Sequence, residues 1–251
     1  MSVADRVRRR LDPEERYGLR LTLIVLALVI VAVPFGWLLN QVEGEGFLVD
    51  VDTDAADDLH GWARSSPTVA DGLRVLTALG APLWLFSVVA VAAVALWFTG
   101  RRRSAAFLVM TAAVGGLINT AVKMAVNRPR PSLFDPVATA DGRSFPSGHA
   151  MSSTVVYGAL LLVVLPLVAR RLRPVALAVA VALVAGIGFS RLALGVHFIS
   201  DVIGGHVLGL AWLLASVAAF RLWRLEDAAE PPDEQAEAGE ASEGRSEEVK
   251  A

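Results

Sequence analysis

Three short segments of this chain combine cations, histidines and a carboxylate, and each stands at the end of a long apolar run. The first is Lys123-Met-Ala-Val-Asn-Arg-Pro-Arg130-Pro131, and the second is Pro146-Ser147-Gly148-His149. The third opens with Ser190-Arg191 and continues to His197 and Asp201. Charged groups are costly at membrane depth and mark function there. A guanidinium fork suits phosphate oxygens, and lysine adds a compact charge. An imidazole whose one nitrogen is held by a carboxylate leaves the other free to attack. The set has what is needed to grip a phosphate and break its ester bond.

Each pattern also has an ordinary structural reading. Pro146-Ser147-Gly148 is a normal helix start, with a cap and a tight turn. The same start offers free N–H groups and a positive dipole to an anion, and Ser147 adds a hydroxyl. His197 and Asp201, four apart, share a face if their helix begins a turn early; otherwise Asp201 only favours the dipole. Lys123, Arg130 and Arg191 could be snorkelling anchors. That reading is kept for Arg128 and Arg143, which are left outside the predicted site. Pro129 and Pro131 bracket Arg130 and stiffen its approach.

The elements that position these groups are membrane helices. The chain has 251 residues, 55% of them hydrophobic and only 19% charged, against about a quarter charged in soluble domains. Six apolar spans are predicted: Leu19 to Leu39, Pro82 to Phe98, Ser104 to Val126, His149 to Ala169, Pro174 to Phe189, and Ser200 to Phe220. Most reach or approach the roughly 30 Å of a bilayer core. The fifth is the shortest, so its far end, carrying Ser190 and Arg191, is expected at or slightly below the polar boundary, shielded by neighbouring helices. The first reads as retained, because no small-x-small cleavage site follows it. The expected fold class is all-α: an integral membrane bundle of six helices, with short interfacial helices in the first outer loop. Residues 1–18 form a basic N-terminus, 19–224 the six-span domain, and 225–251 an acidic tail expected to be disordered.

Arginine sets the orientation. Arg6, Arg8, Arg9, Arg10, Arg16, Arg20, Arg101, Arg102, Arg103, Arg170, Arg171, Arg173, Arg221 and Arg224 all fall on one side of the zigzag. By the positive-inside rule both termini are cytoplasmic, in a multi-pass protein of the plasma membrane. The three segments then face outward, and four helices deliver Lys123, His149, Arg191 and Asp201 to one depth.

Other residues read structurally. Trp37, Trp84, Trp97 and Trp223 fall at span ends as interfacial anchors, whereas Trp212 reads as bundle packing. The outer segment Gln41 to Ala81 is acidic and then amphipathic from Val69 to Leu79, with His60 expected to be solvated. His206, near Gly204, Gly205 and Gly209, reads as a buried histidine where helices pack closely. The chain has no cysteine, which removes disulfides and thiolate chemistry. No basic stripe points to nucleic acid, and no carboxylate–histidine cluster suits a catalytic metal.

The pattern K-x6-R-P, P-S-G-H and S-R-x5-H-x3-D resembles the three signatures of the type 2 phosphatidic acid phosphatase superfamily. Every position is present, as Lys123, Arg130 and Pro131; Pro146 to His149; and Ser190, Arg191, His197 and Asp201. The resemblance implies a phosphomonoesterase or diphosphatase that needs no cofactor or metal and works through a phosphohistidine. His197 is then the nucleophile, Asp201 its orienting partner and His149 the acid and base. Lys123, Arg130, Ser147, Gly148, Ser190 and Arg191 hold the phosphate, with Pro131 and Pro146 in support. The acid–base pair implies a bell-shaped pH profile. Expected partners are membrane lipids and a lipid phosphate substrate: phosphatidic acid, phosphatidylglycerol phosphate, or a polyprenyl diphosphate such as undecaprenyl diphosphate. The alternatives are a lipid phosphotransferase using the same intermediate and, further off, a non-enzymatic lipid-phosphate binder or transporter. A vanadate-dependent haloperoxidase resembles this family at the anion site, but the spans argue against a soluble protein. Headgroup preference and oligomeric state are not legible.

Overall fold

The structure is a computed structural model that describes residues 35–37, 39–40, 47–133 and 137–227. The basic N-terminus and nearly all of the first predicted span lie outside the described residues, as does the tail from 228 onward. The chain divides into two compact units, 1–216 and 217–251, and the first carries the contacts described below.

From residue 47 onward the described residues form seven α-helices: α1 Phe47–Arg64, α2 Pro67–Ala78, α3 Pro82–Phe98, α4 Arg102–Val126, α5 Gly148–Val164, α6 Arg173–Ala193 and α7 Ile199–Asp227. Two short 3₁₀ turns, Leu165–Leu167 and Arg170–Leu172, join α5 to α6. Four segments are long and apolar enough to cross a membrane: Arg102–Val126, Gly148–Leu167, Arg170–Ala193 and Ile199–Phe220. A fifth arises if α2 and α3 count as one span bent by 42°. This is a multi-pass, all-helical membrane architecture.

Local chemistry explains the helix ends. Ser66 caps α2, accepting from the Val69 amide, with Pro67 in the first turn, where its missing N–H costs nothing. Helix α4 stops at Asn127, whose left-handed backbone (φ 56°) returns its N–H to the Lys123 carbonyl. Pro129 two residues on prevents continuation. Helix α6 is longer than the predicted fifth span. It runs on through Ser190 and Arg191 to Ala193, because neither residue breaks a helix and both are buried there.

The inner faces are small and closely packed. Buried Leu108, Thr111, Gly115 and Asn119 of α4 recur every three or four residues, the stripe of a helix turned to a bundle. Outward-facing positions are apolar as well: Leu117 is 69% exposed and Met124 70%, as expected of a surface solvated by lipid. Helices α5 and α7 meet at Gly205 and Gly209. A Cβ at Gly205 would sit 2.7 Å from the Ser147 carbonyl oxygen, and one at Gly209 2.9 Å from that of Met151. Such small-residue contact lets backbones approach where no hydrophobic drive between helices exists. Trp212 packs against Gly115 and donates its indole N–H to the Thr111 carbonyl at 2.8 Å, the bundle packing expected of it. His206 is half-buried, its Nδ1 2.9 Å from Thr154 Oγ1.

The segment between the first two predicted spans forms the two helices α1 and α2. Asp52, Ala56, His60 and Ala63 make one buried stripe along α1. His60 is therefore not a solvated surface residue; it is only 5% exposed. Its spacing of four from Ala56 places it on the packed face, beside Gly195. Ala63 and Leu73 join Ala193, Leu194 and Val196 in one apolar cluster, so α1 and α2 sit over the end of α6.

Substituting Gly209 by Leu is expected to force α5 and α7 apart and to cost roughly 1–3 kcal/mol or more through overpacking. Thermal unfolding in detergent should show the loss. Gly72→Leu, inside α2 at a position with open space around it, should not lower the transition, because leucine favours a helix over glycine.

Candidate active site

The start of α5 is built as a capped N-terminus. Ser147 is fully buried and its Oγ accepts from the Ala150 amide at 3.4 Å. Its own backbone N–H donates to the Asp201 carbonyl at 2.9 Å, tying the start of α5 to the start of α7. Lys123, in the last turn of α4, donates through Nζ to the Arg143 carbonyl at 2.7 Å. Its Cε lies 3.9 Å from where a Cβ on Gly148 would stand. A lysine and the positive end of a helix dipole thus flank one spot, which favours an anion.

His197 lies in the turn between α6 and α7 and is 2% exposed. Its Nδ1 faces Asp201 Oδ2 at 3.3 Å, and its Nε2 lies 3.1 Å from Arg130 Nη1. An ionised carboxylate only accepts, so the contact assigns the proton to Nδ1 and leaves the Nε2 lone pair toward the cations. Asp201 is the third residue of α7 and reaches back to the Phe198 amide at 2.8 Å, the acidic half of a capping box. Its Oδ2 also accepts from the Ser144 hydroxyl, and its Oδ1 accepts from Arg128 Nη1 at 2.8 Å. Burial pushes the His197 imidazole down to about 4; Asp201 opposes this, and the charges of Arg130 and Arg191 add to it. The ring is therefore neutral at ordinary pH.

Arg130 holds three carbonyls: Gly142 through Nε at 3.1 Å, Asp141 through Nη2 at 3.0 Å and Val196 through Nη1 at 2.7 Å. It staples the loop before α5 to the turn before α7. Arg191 is 8% exposed and donates to Thr77 Oγ1 at 2.9 Å. Its Nε is buried with no hydrogen-bond partner among the described residues, a donor available to an oxygen ligand. His149 lies within the fields of Arg191, His197, Arg130 and Lys123. Ser190 is fully buried and donates to the Ile187 carbonyl of its own helix at 2.6 Å. Pro146 is buried at the entry to α5, and Pro131 is half-buried beside Arg130.

The ends of α4, α5, α6 and α7 therefore meet as the sequence pattern implied. Four contributors were not anticipated. Arg128 is no snorkelling anchor: it is 8% exposed and ion-paired to Asp52 at 2.9 Å and to Asp201 at 2.8 Å. Its signal was present, a second arginine one proline away from Arg130. Asp52 is 2% exposed, yet it reads in sequence as one more acid in an acidic stretch. Ser144 and Thr77 carry no local signal at all.

The low basicity of His197 has a sign that can be tested. Above about pH 4 the ring is neutral and can attack; below it, protonation removes the lone pair. The acid limb of kcat/KM, which reports the free enzyme, is expected near 4 rather than near the unperturbed value of about 6.5. A limb centred on 6.5 in a pH series would contradict the burial of this ring.

A family model of the PAP2 superfamily matches residues 104–224. The chain is 31% identical over 147 residues to phosphatidylglycerophosphatase B of Bacillus subtilis (strain 168), covering 57% of this chain and 71% of that one. In fold it resembles the first transmembrane PAP2 type phosphatidylglycerolphosphate phosphatase from Bacillus subtilis. That match has a TM-score of 0.71 and 22% identity, over 81% of this chain and 98% of the other. It also resembles LpxE of Aquifex aeolicus, with a TM-score of 0.54 and 21% identity over 66% and 94% of the two chains. On the conjunction of its three charged segments, their convergence at one end of the bundle and these likenesses, the chain belongs to the PAP2 superfamily.

Proposed function

We propose that this protein is a lipid phosphatase that removes the terminal phosphate of a lipid phosphate or diphosphate through a phosphohistidine on His197, without a metal. The observation that carries this reading is the His197 ring itself. Its Nδ1 is turned to Asp201 and its Nε2 toward Arg130, at the end of the bundle where Lys123, Arg191 and the start of α5 meet.

The chemistry follows from those positions. Lys123, Arg130, Arg191 and the Gly148 amide surround the phosphate oxygens, with the buried Nε of Arg191 as one donor still to be used. Nε2 of His197 attacks phosphorus as the phosphorus–oxygen bond to the lipid breaks, and His149 passes a proton to the leaving oxygen. Asp201 offsets the positive charge that the phosphorylated ring acquires. His149 then takes a proton from water, the new oxygen–phosphorus bond forms as the nitrogen–phosphorus bond breaks, and inorganic phosphate leaves. Positioning and charge stabilisation dominate, as in phosphoryl transfer generally. Ser147 and Ser190 act behind the oxygens, through the cap of α5 and the last turn of α6.

The site lies at the end of four apolar helices, which suits a substrate whose tail stays in lipid while its phosphate reaches the polar boundary. Phosphatidylglycerol phosphate is the favoured substrate, because the Bacillus subtilis relative, in sequence and in solved structure, bears that activity in its name. Phosphatidic acid and a polyprenyl diphosphate are the next candidates. In this reading the membrane domain has six spans, both termini are cytoplasmic, and the site serves the outer leaflet.

The test is phosphate release by purified protein from those three lipids, with and without a chelator. Release unaffected by chelator, fastest from phosphatidylglycerol phosphate, is expected; dependence on an added alcohol acceptor would identify a transferase instead. His197→Ala should abolish both phosphate release and acid-labile labelling of the protein. His149→Ala should slow turnover by about 10²- to 10⁴-fold, the range for lost general acid–base catalysis. Because the chain has no cysteine, single cysteines placed near residues 10 and 142 should react with an impermeant thiol reagent from opposite sides of sealed vesicles.

A further inference from the structure

We infer that Asp52 and Arg128 are positioning residues for this reaction, forming a buried relay that holds Asp201 against His197 and makes helix α1 part of the active site. The inference rests on the proposed role of His197 as nucleophile.

The relay is continuous. Asp52 Oδ2 pairs with Arg128 Nη2 at 2.9 Å, and Arg128 Nη1 pairs with Asp201 Oδ1 at 2.8 Å. Ser200 joins the two ends. Its backbone N–H donates to Asp52 Oδ1 at 3.0 Å, and its hydroxyl lies against Asp52 Oδ2 and 2.7 Å from Arg128 Nη1. The guanidinium lies over the Phe198 ring at 4.3 Å, and the Arg128 carbonyl accepts from the Ser144 amide at 2.9 Å. All three charged members are 8% exposed or less.

The two carboxylates divide the work of starting α7. Asp201 satisfies the Phe198 amide and Asp52 the Ser200 amide, two of the amides a helix N-terminus leaves open. The contact that matters for chemistry is the weakest of the set. His197 Nδ1 is 3.3 Å from Oδ2, whereas Arg128 stands 2.8 Å from Oδ1 and the Phe198 amide 2.8 Å from Oδ2. A carboxylate freed on its Oδ1 side can rotate, and the long imidazole contact is lost before the shorter ones. The tilt of the ring, and with it the aim of Nε2, then depends on Arg128. Arg128 depends on Asp52, because a guanidinium buried with one carboxylate removed is left with unmet donors.

A clamp that only secures the fold and a relay that aims the nucleophile differ in their kinetics. In folded protein, Asp52→Asn is expected to slow phosphohistidine formation about 10- to 100-fold, by analogy with the loss when a metal-bound histidine is deprived of its orienting partner. KM should stay within about threefold, since substrate binding is not the quantity altered. Arg128→Met should be at least as slow, with Arg128→Lys between it and wild type, because lysine keeps the charge and loses the fork. The double variant Asp52→Asn/Arg128→Met should be no slower than Arg128→Met alone, since residues in one network are not additive. If Asp52→Asn yields no folded protein, Ser200→Ala tests the same link with the backbone contact kept; a severalfold slower phosphorylation at unchanged KM is expected.

Wild-type rates in Asp52→Asn or Ser200→Ala, fully additive losses in the double variant, or a loss confined to KM would overturn the relay. Wild-type protein that hydrolyses lipid phosphate but forms no phosphohistidine would overturn the role of His197 itself. The two failures are distinguishable in one set of rapid-quench measurements.

Discussion

A carboxylate sealed from solvent has to find enough donors within its own protein, and Asp201 is sealed completely. Leaving such a group unpartnered would cost several kcal/mol. Its oxygens are met by the Arg128 guanidinium, the Phe198 amide, the Ser144 hydroxyl and the His197 ring. These come from the turn after α4, the loop before α5 and the turn before α7. Satisfying one acid therefore brings three separate stretches of chain to one point. The convergence of the charged segments is the structural form of that requirement.

The bundle makes this possible by keeping its helices close. At Gly205 and Gly209 the backbones of α5 and α7 lie nearer than any side chain would permit. The starts of the two helices are then near enough for the Ser147 amide to reach the Asp201 carbonyl. His149, one residue into α5, is thereby set beside the turn that carries His197. Packing that looks purely structural thus decides the relation between the two histidines. Outer faces of the same helices carry large apolar side chains, as lipid demands, and contribute nothing to the site.

Several cations close together would repel one another without a partner. Here Arg130 holds three carbonyls, Lys123 a fourth and Arg191 a threonine hydroxyl. Each head group is aimed by neutral acceptors rather than neutralised by acids, while the acids are gathered around Arg128 on the far side of His197. This separation leaves a net positive surface for an anionic substrate and a neutral imidazole facing it. A site arranged so needs little reorganisation when charge develops on transferring oxygens.

What the amino-acid sequence determined alone is local. Apolar runs long enough for a bilayer, caps and prolines at their ends, and the spacing of Lys123, Arg130, His149, Arg191, His197 and Asp201 are properties of neighbouring residues. They sufficed for the helical class, the family and the activity of a lipid phosphatase. Even locally the reading faltered where no residue marked a stop, so α6 runs past its predicted end to Ala193. Only the tertiary structure decided which charges are partners. Asp52 meets Arg128 across 76 positions and Ser200 across 148, and His60 turns out to be buried. A carboxylate in an acidic stretch looks the same in sequence whether it faces water or an arginine. Its environment is set by elements far away in the chain, and only their packing removes the water.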